Sequence, residues 1–222
     1  KCKCIKATRI CSYKYSLYRQ PWPNKLGLHP RGKKMTKNYI FMMLGLPGSG
    51  KSSFARNLAD SISSVHLNSD AMRMAIFKSR EEIDEIYHSD HRGILNTYTF
   101  GALNYAASSA LHNGCSVIYD ANNNTKRERL DTVTATKSSD TLAVVVWIQT
   151  PFEDAVIRAV RRRESDIQRQ LSDDTAREYI TKIAAEIEEP GNDENFIIID
   201  GMKPFEQQYH SFQKQLAEVE DE

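Results

Sequence analysis

Between Gly45 and Ser53 the chain reads GLPGSGKSS. The spacing fits G-x-x-x-x-G-K-[ST], in which glycines let successive backbone N–H groups curl around one anion. Gly45, Pro47, Gly48, Ser49 and Gly50 would form the cradle. Lys51 would reach the β- and γ-phosphates, the Ser52 hydroxyl would bind Mg²⁺, and Ser53 would follow in the first turn of a helix whose positive end favours the same anion. Such a loop calls for ATP or GTP and does not say what the nucleotide is for.

Three further groups bear on that purpose. Asp120 ends an apolar stretch, SVIYD, and precedes ANNNT. It is a single acid, unlike the acid pair of many motor ATPases, and no N-K-x-D segment of the kind that reads guanine is present. Asp120 would sit near Mg²⁺, directly or through water, or would cap the loop after it. The second group is LNSDAMR, where Asp70 follows a short strand and Arg73 lies one helical turn on. Asp70 could take a proton from an attacking hydroxyl, and Arg73 could grip an acidic group of an acceptor or the phosphoryl in transfer. The bland alternative is a capping Asp paired with a surface Arg. The third group is IRAVRRRE, with Arg158, Arg161, Arg162 and Arg163 in six positions. These would meet the charge of a phosphoryl group from a lid, or form a solvated basic face at a helix C-terminus.

The elements that must position these residues alternate strand and helix. Apolar runs mark strands at Tyr39–Leu44, Val65–Asn68, Ser116–Asp120, Thr141–Gln149 and Asn195–Asp200. Helices are expected at 51–63, 70–78, 91–112, 125–136, 150–163, 175–189 and 204–219, with SREEIDE an acidic turn and ESDIQRQLSDD a polar link. TKRE and TPFE each have the form of a capping box, the second with Pro151 in the first helical turn. Strands alternating with helices predict an α/β fold: a five-stranded parallel sheet with helices on both faces.

The order of these motifs resembles that of the polynucleotide 5′-hydroxyl kinase family. It is also similar to the zeta-toxin-like AAA ATPase family and other small P-loop kinases. LNSDAMRMAIF and VIYDANNNTKRERL carry the likeness beyond the bare motifs, and it spans about residues 38–185. The resemblance implies a P-loop NTPase fold with an Arg-bearing lid, ATP with Mg²⁺, Asp70 as general base, Arg73 as an acceptor- or phosphate-binding group, and Arg162 as the lid arginine. It implies transfer of the γ-phosphoryl group to a hydroxyl, first of a nucleic-acid 5′ end, alternatively of a small metabolite. A regulatory ATP-binding module with weak turnover is the reading from outside enzymology. The chain departs from the family in the acidic, Gln-rich stretch after Arg163. Lys126, Arg127 and Arg129 either border the acceptor cleft or form a charged exposed helix face.

Composition bounds the rest. The 222 residues are 40% apolar, with a net charge of +1. Residues 1–34 hold ten Lys and Arg and no Asp or Glu, leaving twenty basic against twenty-nine acidic residues beyond. Residues 35–222 are expected to form the kinase domain. Residues 1–34 carry no packable pattern and are expected to be an extension with little order, Met35 being the natural start. A nucleic-acid-binding arm or a targeting segment is the alternative. An acidic body disfavours a long nucleic-acid footprint, although a strand end needs few phosphate contacts. Cys2, Cys4 and Cys11 lack a fourth ligand at finger-like spacing, and Cys115 is expected to be small and buried. No apolar run reaches membrane length. Cytoplasm is the default location, and no obligate protein partner is evident.

Overall fold

The run NYIFMML becomes the central strand, β1 (Asn38–Leu44), and from Tyr39 onward each of its residues is buried. A strand covered on both faces must be apolar at every position rather than at alternate ones, which is why this run reads as continuous. The computed structural model describes residues 37–77, 79–136, 141–161 and 173–221. Segment 1–34, Arg162, Arg163 and most of the link ESDIQRQLSDD lie outside the described residues.

Among the described residues, α1 (Lys51–Ile62), β2 (Val65–Asn68), α2 (Ser69–Ile76), α3 (Arg80–Tyr87) and α4 (Arg92–His112) follow β1. Next come β3 (Val117–Asp120), α5 (Lys126–Thr136), β4 (Thr141–Gln149) and α6 (Phe152–Arg161). The described chain closes with α7 (Asp173–Glu186), β5 (Phe196–Asp200) and α8 (Phe205–Asp221). The strands form one parallel sheet in the order β2-β3-β1-β4-β5.

The alternation of side chains along the strands feeds two cores. Tyr39, Phe41 and Met43 of β1 pack with Phe54 and Leu58 of α1 and Phe212 of α8. Ile40, Met42 and Leu44 pack on the other face with Leu103, Ala107 and Leu111 of α4, and Val133 of α5 joins them. Full burial of each large apolar side chain contributes roughly 1.5–3 kcal/mol. Helix α1 therefore leaves β1 toward one face and α5 leaves β3 toward the other, although β1 and β3 are neighbours. That divergence opens a crevice beyond their C-terminal ends, where open α/β sheets bind ligands.

Four local expectations are corrected. The stretch SREEIDE is a helix, α3, and not a turn: the Ser79 side chain accepts from the Glu82 N–H at 3.2 Å, and Glu81 and Glu82 suit the positive end of the first turn. TPFE does not form a capping box. The Thr150 hydroxyl instead donates to the Ser49 carbonyl at 3.0 Å, and Pro151 lies just before α6. Cys115 is exposed, because it sits in the turn ahead of β3 and not on the strand. Arg129 is neither at a cleft border nor on an exposed face, as described below. TKRE does form its box, with Thr125 and Glu128 exchanging side-chain bonds to each other's N–H groups at 3.0 and 3.2 Å.

Candidate active site

The glycine-rich loop joins β1 to α1 across the mouth of the crevice. Gly45 and Gly48 have φ of +141° and +84°. A Cβ at Gly45 would lie 2.4 Å from the Ile148 carbonyl oxygen, and one at Gly48 would lie 2.1 Å from that of Ala155. Both the backbone conformation and the contact with β4 and α6 thus demand glycine. Lys51 opens α1, and its ammonium donates to the carbonyls of Gly45 and Leu46 at 2.7 and 2.8 Å. Gly45, Pro47 and Lys51 line a pocket with Ala121, Asn122 and Asn124 from the loop after β3, and with Tyr179 and Ile183 from α7. Ser49 is fully buried beneath the loop, and Ser53 is exposed on α1.

Asp120 ends β3 beside this loop and is 3% exposed. Its Oδ2 accepts from Asn68 Nδ2 at 2.7 Å and lies 3.1 Å from His66 Nε2. Burial alone would raise its pKa, but the hydrogen bonds from His66 and Asn68, with a smaller contribution from the nearby Ser52 hydroxyl, hold it below the usual carboxylate range. Asp120 is therefore ionised through the neutral range.

Asp70 lies in the first turn of α2, just past the end of β2, the strand next to β3. Its Oδ1 accepts from Arg73 Nη1 at 2.9 Å. The side chain stays 44% exposed, yet enough protein surrounds it for burial to push its pKa up. The Arg73 charge opposes that rise, the Asp120 charge adds to it, and the net shift is upward. The cap of α2 is Asn68, not Asp70: its Oδ1 accepts from the Ala71 N–H at 2.9 Å.

The structure thus gathers the loop residues, Ser52 and Asp120 at one point, with Asp70 and Arg73 one strand away. Arg162 lies outside the described residues. Arg158 donates to the Gly201 carbonyl at 2.8 Å, which ties α6 to the loop after β5. No motif in the sequence singles out His66 or Asn68. Their alternate spacing on β2 places both on the side of Asp120, but that neighbourhood depends on the strand order.

The loop after Asp120 is fastened from behind. Arg129 is 1% exposed and forms a bidentate pair with Glu194 at 2.7 and 2.9 Å. Its remaining reach goes to the carbonyls of Asn123, Asn124 and Glu188. The Asn123 amide, also buried, donates toward the carbonyls of Ala121, Tyr119 and Met43.

The donor set fits Mg²⁺. The Ser52 hydroxyl and the ionised Asp120 carboxylate are hard oxygen ligands, and Mg²⁺ in nucleotide sites takes one or two such groups with phosphate and water. Among the described residues no group of three or more His, Cys, Asp and Glu side chains forms a cage that would hold a metal without the nucleotide. Among them also, no helix is long and apolar enough to cross a membrane.

A sheet ordered 2-3-1-4-5 with a G-x-x-x-x-G-K-S loop after its first strand defines a P-loop kinase fold. The sequence pattern of the family described as AAA domain matches residues 40–189, more than half of the chain, and the chain belongs to that family. Solved structures share the fold. A sugar kinase from Janibacter sp. HTCC2649 is 18% identical with a TM-score of 0.57, covering 82% of this chain and 95% of that one. A gluconokinase from Sinorhizobium meliloti 1021 is 14% identical with a TM-score of 0.54, covering 82% and 93%. A chain of the Pnkp1/Rnl/Hen1 RNA repair complex is 23% identical with a TM-score of 0.52, covering 68% of this chain and 45% of that one. At these identities the likeness is one of fold.

Proposed function

We propose that this P-loop kinase transfers the γ-phosphoryl group of ATP to an acceptor hydroxyl. The observation that carries the reading is the placement of two carboxylates of opposite tuning at the ends of neighbouring strands. Asp120 is held ionised beside Ser52, and Asp70 is raised and open to solvent. Paired acids whose environments push their pKa values apart are suited to different roles.

In this reading the Gly45–Gly50 backbone cradles the phosphates, and Lys51 exchanges its bonds to the loop carbonyls for bonds to phosphate oxygens. Ser52 and Asp120 would hold Mg²⁺, which when bound would neutralise charge on the phosphates. Asp70 orients the acceptor hydroxyl and accepts its proton as the new P–O bond forms and the bond to ADP breaks. Arg73 fixes the Asp70 carboxylate and is placed to grip an acidic group of the acceptor. Arg162 is assigned to the lid by the motif order.

The first acceptor class is the 5′-hydroxyl of a nucleic-acid end, on the likeness of LNSDAMRMAIF and VIYDANNNTKRERL. One observation favours the second class, a small hydroxyl metabolite. Helix α3, packed next to α2, carries Glu81, Glu82, Asp84 and Glu85. Against the one cation of that helix, Arg80, this balance of charge disfavours the phosphates of a strand running past the site.

The test is transfer of labelled γ-phosphate to a 5′-hydroxyl oligonucleotide, a nucleoside, D-gluconate and a sugar nucleotide, with Asp70→Asn alongside. A positioned base supplies about 10²–10⁴ in rate, so the variant is expected to lose that factor while still binding ATP. Labelling of none of these acceptors by the parent, or equal labelling by the variant, contradicts the proposal.

A further inference from the structure

Among the described residues, the Asn68 side chain bonds to both halves of the site. It ends β2 and pairs in register with Asp120, the last residue of β3. Its amide nitrogen donates to Asp120 Oδ2 at 2.7 Å. Its amide oxygen accepts from the Ala71 N–H at 2.9 Å and so caps α2, the helix that bears Asp70 and Arg73. An amide offers donor and acceptor from one planar group, so neither bond can shift without moving the other. His66 reaches the same carboxylate oxygen from two residues upstream, but it has no bond to α2 among the described contacts.

We propose that Asn68 is a positioning residue that fixes the distance between the donor side of the site and the acceptor side. It holds the Asp120 carboxylate in the rotamer that faces Ser52, and it seats the first turn of α2 so that Asp70 stands one strand away. The inference rests on the reading of Asp120 as a Mg²⁺ ligand and of Asp70 as the base. An Asp in place of Asn68 would cap α2 equally well but could not donate to Asp120. Capping alone therefore does not account for the residue type.

Two variants separate the functions. Asn68→Ser keeps a capping hydroxyl for Ala71 but is too short to reach Asp120. Asn68→Ala loses both bonds. Binding of a non-hydrolysable ATP analogue is measured by calorimetry across a Mg²⁺ series, together with the melting temperature and, where an acceptor is labelled, kcat and KM. Loss of a partner that orients a metal ligand typically weakens the metal by about 10–100-fold. Asn68→Ser is therefore expected to need at least tenfold more Mg²⁺ for half-saturation. Its affinity for the analogue without Mg²⁺ and its melting temperature should stay near the parent's. Asn68→Ala should show the same Mg²⁺ shift with a lower melting temperature. In turnover, both should lower kcat more than they raise KM for the acceptor.

An unchanged Mg²⁺ dependence in both variants overturns the proposal, since a purely structural cap predicts that result. Failure of the phosphotransfer reading is distinguishable: the parent would label no acceptor, while the Mg²⁺ shift in analogue binding would still report whether Asn68 holds Asp120.

Discussion

Asp70 and Asp120 are the same residue type, at the C-terminal ends of strands that lie side by side, and their surroundings drive them in opposite directions. Asp120 is buried and receives hydrogen bonds from His66 and Asn68, so its charged form is favoured despite the loss of water. Asp70 has one hydrogen-bonded arginine, Arg73, a weaker pull from Arg80, a neighbouring negative charge in Asp120 and enough enclosure that its charged form is disfavoured. Burial raises both pKa values and prevails at Asp70; at Asp120 the greater number of donors aimed at the carboxylate overrides it. A carboxylate saturated with donors is a poor base and a good cation ligand, and one that resists ionisation is better matched to taking a proton near neutral pH.

The comparison breaks most visibly if the buried acid is removed. Asp120→Ala is expected to reduce Mg²⁺-dependent transfer by roughly 10³-fold, since a metal ion stabilises several kcal/mol of transition-state charge. Binding of the Mg²⁺-free nucleotide should change far less, and calorimetry with and without Mg²⁺ checks this. An equal loss in both conditions would place Asp120 in the loop architecture and not at the metal.

The next effect concerns what stiffens the Asp120 side. Arg129→Ala would strand Glu194 and three backbone carbonyls in the interior. Breaking a buried pair from one side costs about 3–5 kcal/mol, to be read as a drop in denaturation midpoint without a change in slope. Asp70→Ala, by contrast, should leave stability within about 1 kcal/mol, because Asp70 is 44% exposed and its charged form gains little from the fold.

The smallest effect is the pH dependence of stability, and its signs differ for the two acids. The folded-state pKa of Asp120 is lowered, so its contribution is present above the ordinary carboxylate pKa of about 3.9 and is lost as pH falls through the folded value. The folded-state pKa of Asp70 is raised, so its contribution is present below about 3.9 and is lost as pH rises through the folded value. Asp70→Asn should therefore be slightly more stable than the parent at neutral pH, by a few tenths of a kcal/mol after solvent screening. Urea midpoints at pH 4 and pH 7 check the sign.

The strands and the glycine-rich loop could be read from sequence because apolar runs, glycine spacing and capping boxes are local. NYIFMML and TLAVVVWIQ announce buried strands without any partner being known. What could not be read was lateral. That Asn68 stands opposite Asp120 follows from β2 pairing with β3, and a parallel sheet leaves strand order open to any crossover length. Arg129 likewise looked like one charge of an exposed cluster, because its carboxylate partner lies sixty-five residues on, at Glu194. The acidic SREEIDE reads as a turn because its charge density masks the cap that Ser79 supplies.

The most direct test of the account is the pH dependence of kcat/KM for the acceptor in the parent and in Asp70→Asn. With Asp70 as the base, the parent should show an acid limb above the ordinary carboxylate range, from a free-enzyme group that must lose its proton. In the Asn variant that limb should vanish, leaving a low, flat rate. A variant that retains the parent's acid limb would contradict the assignment of Asp70 as the base and, with it, the division of labour between the two carboxylates.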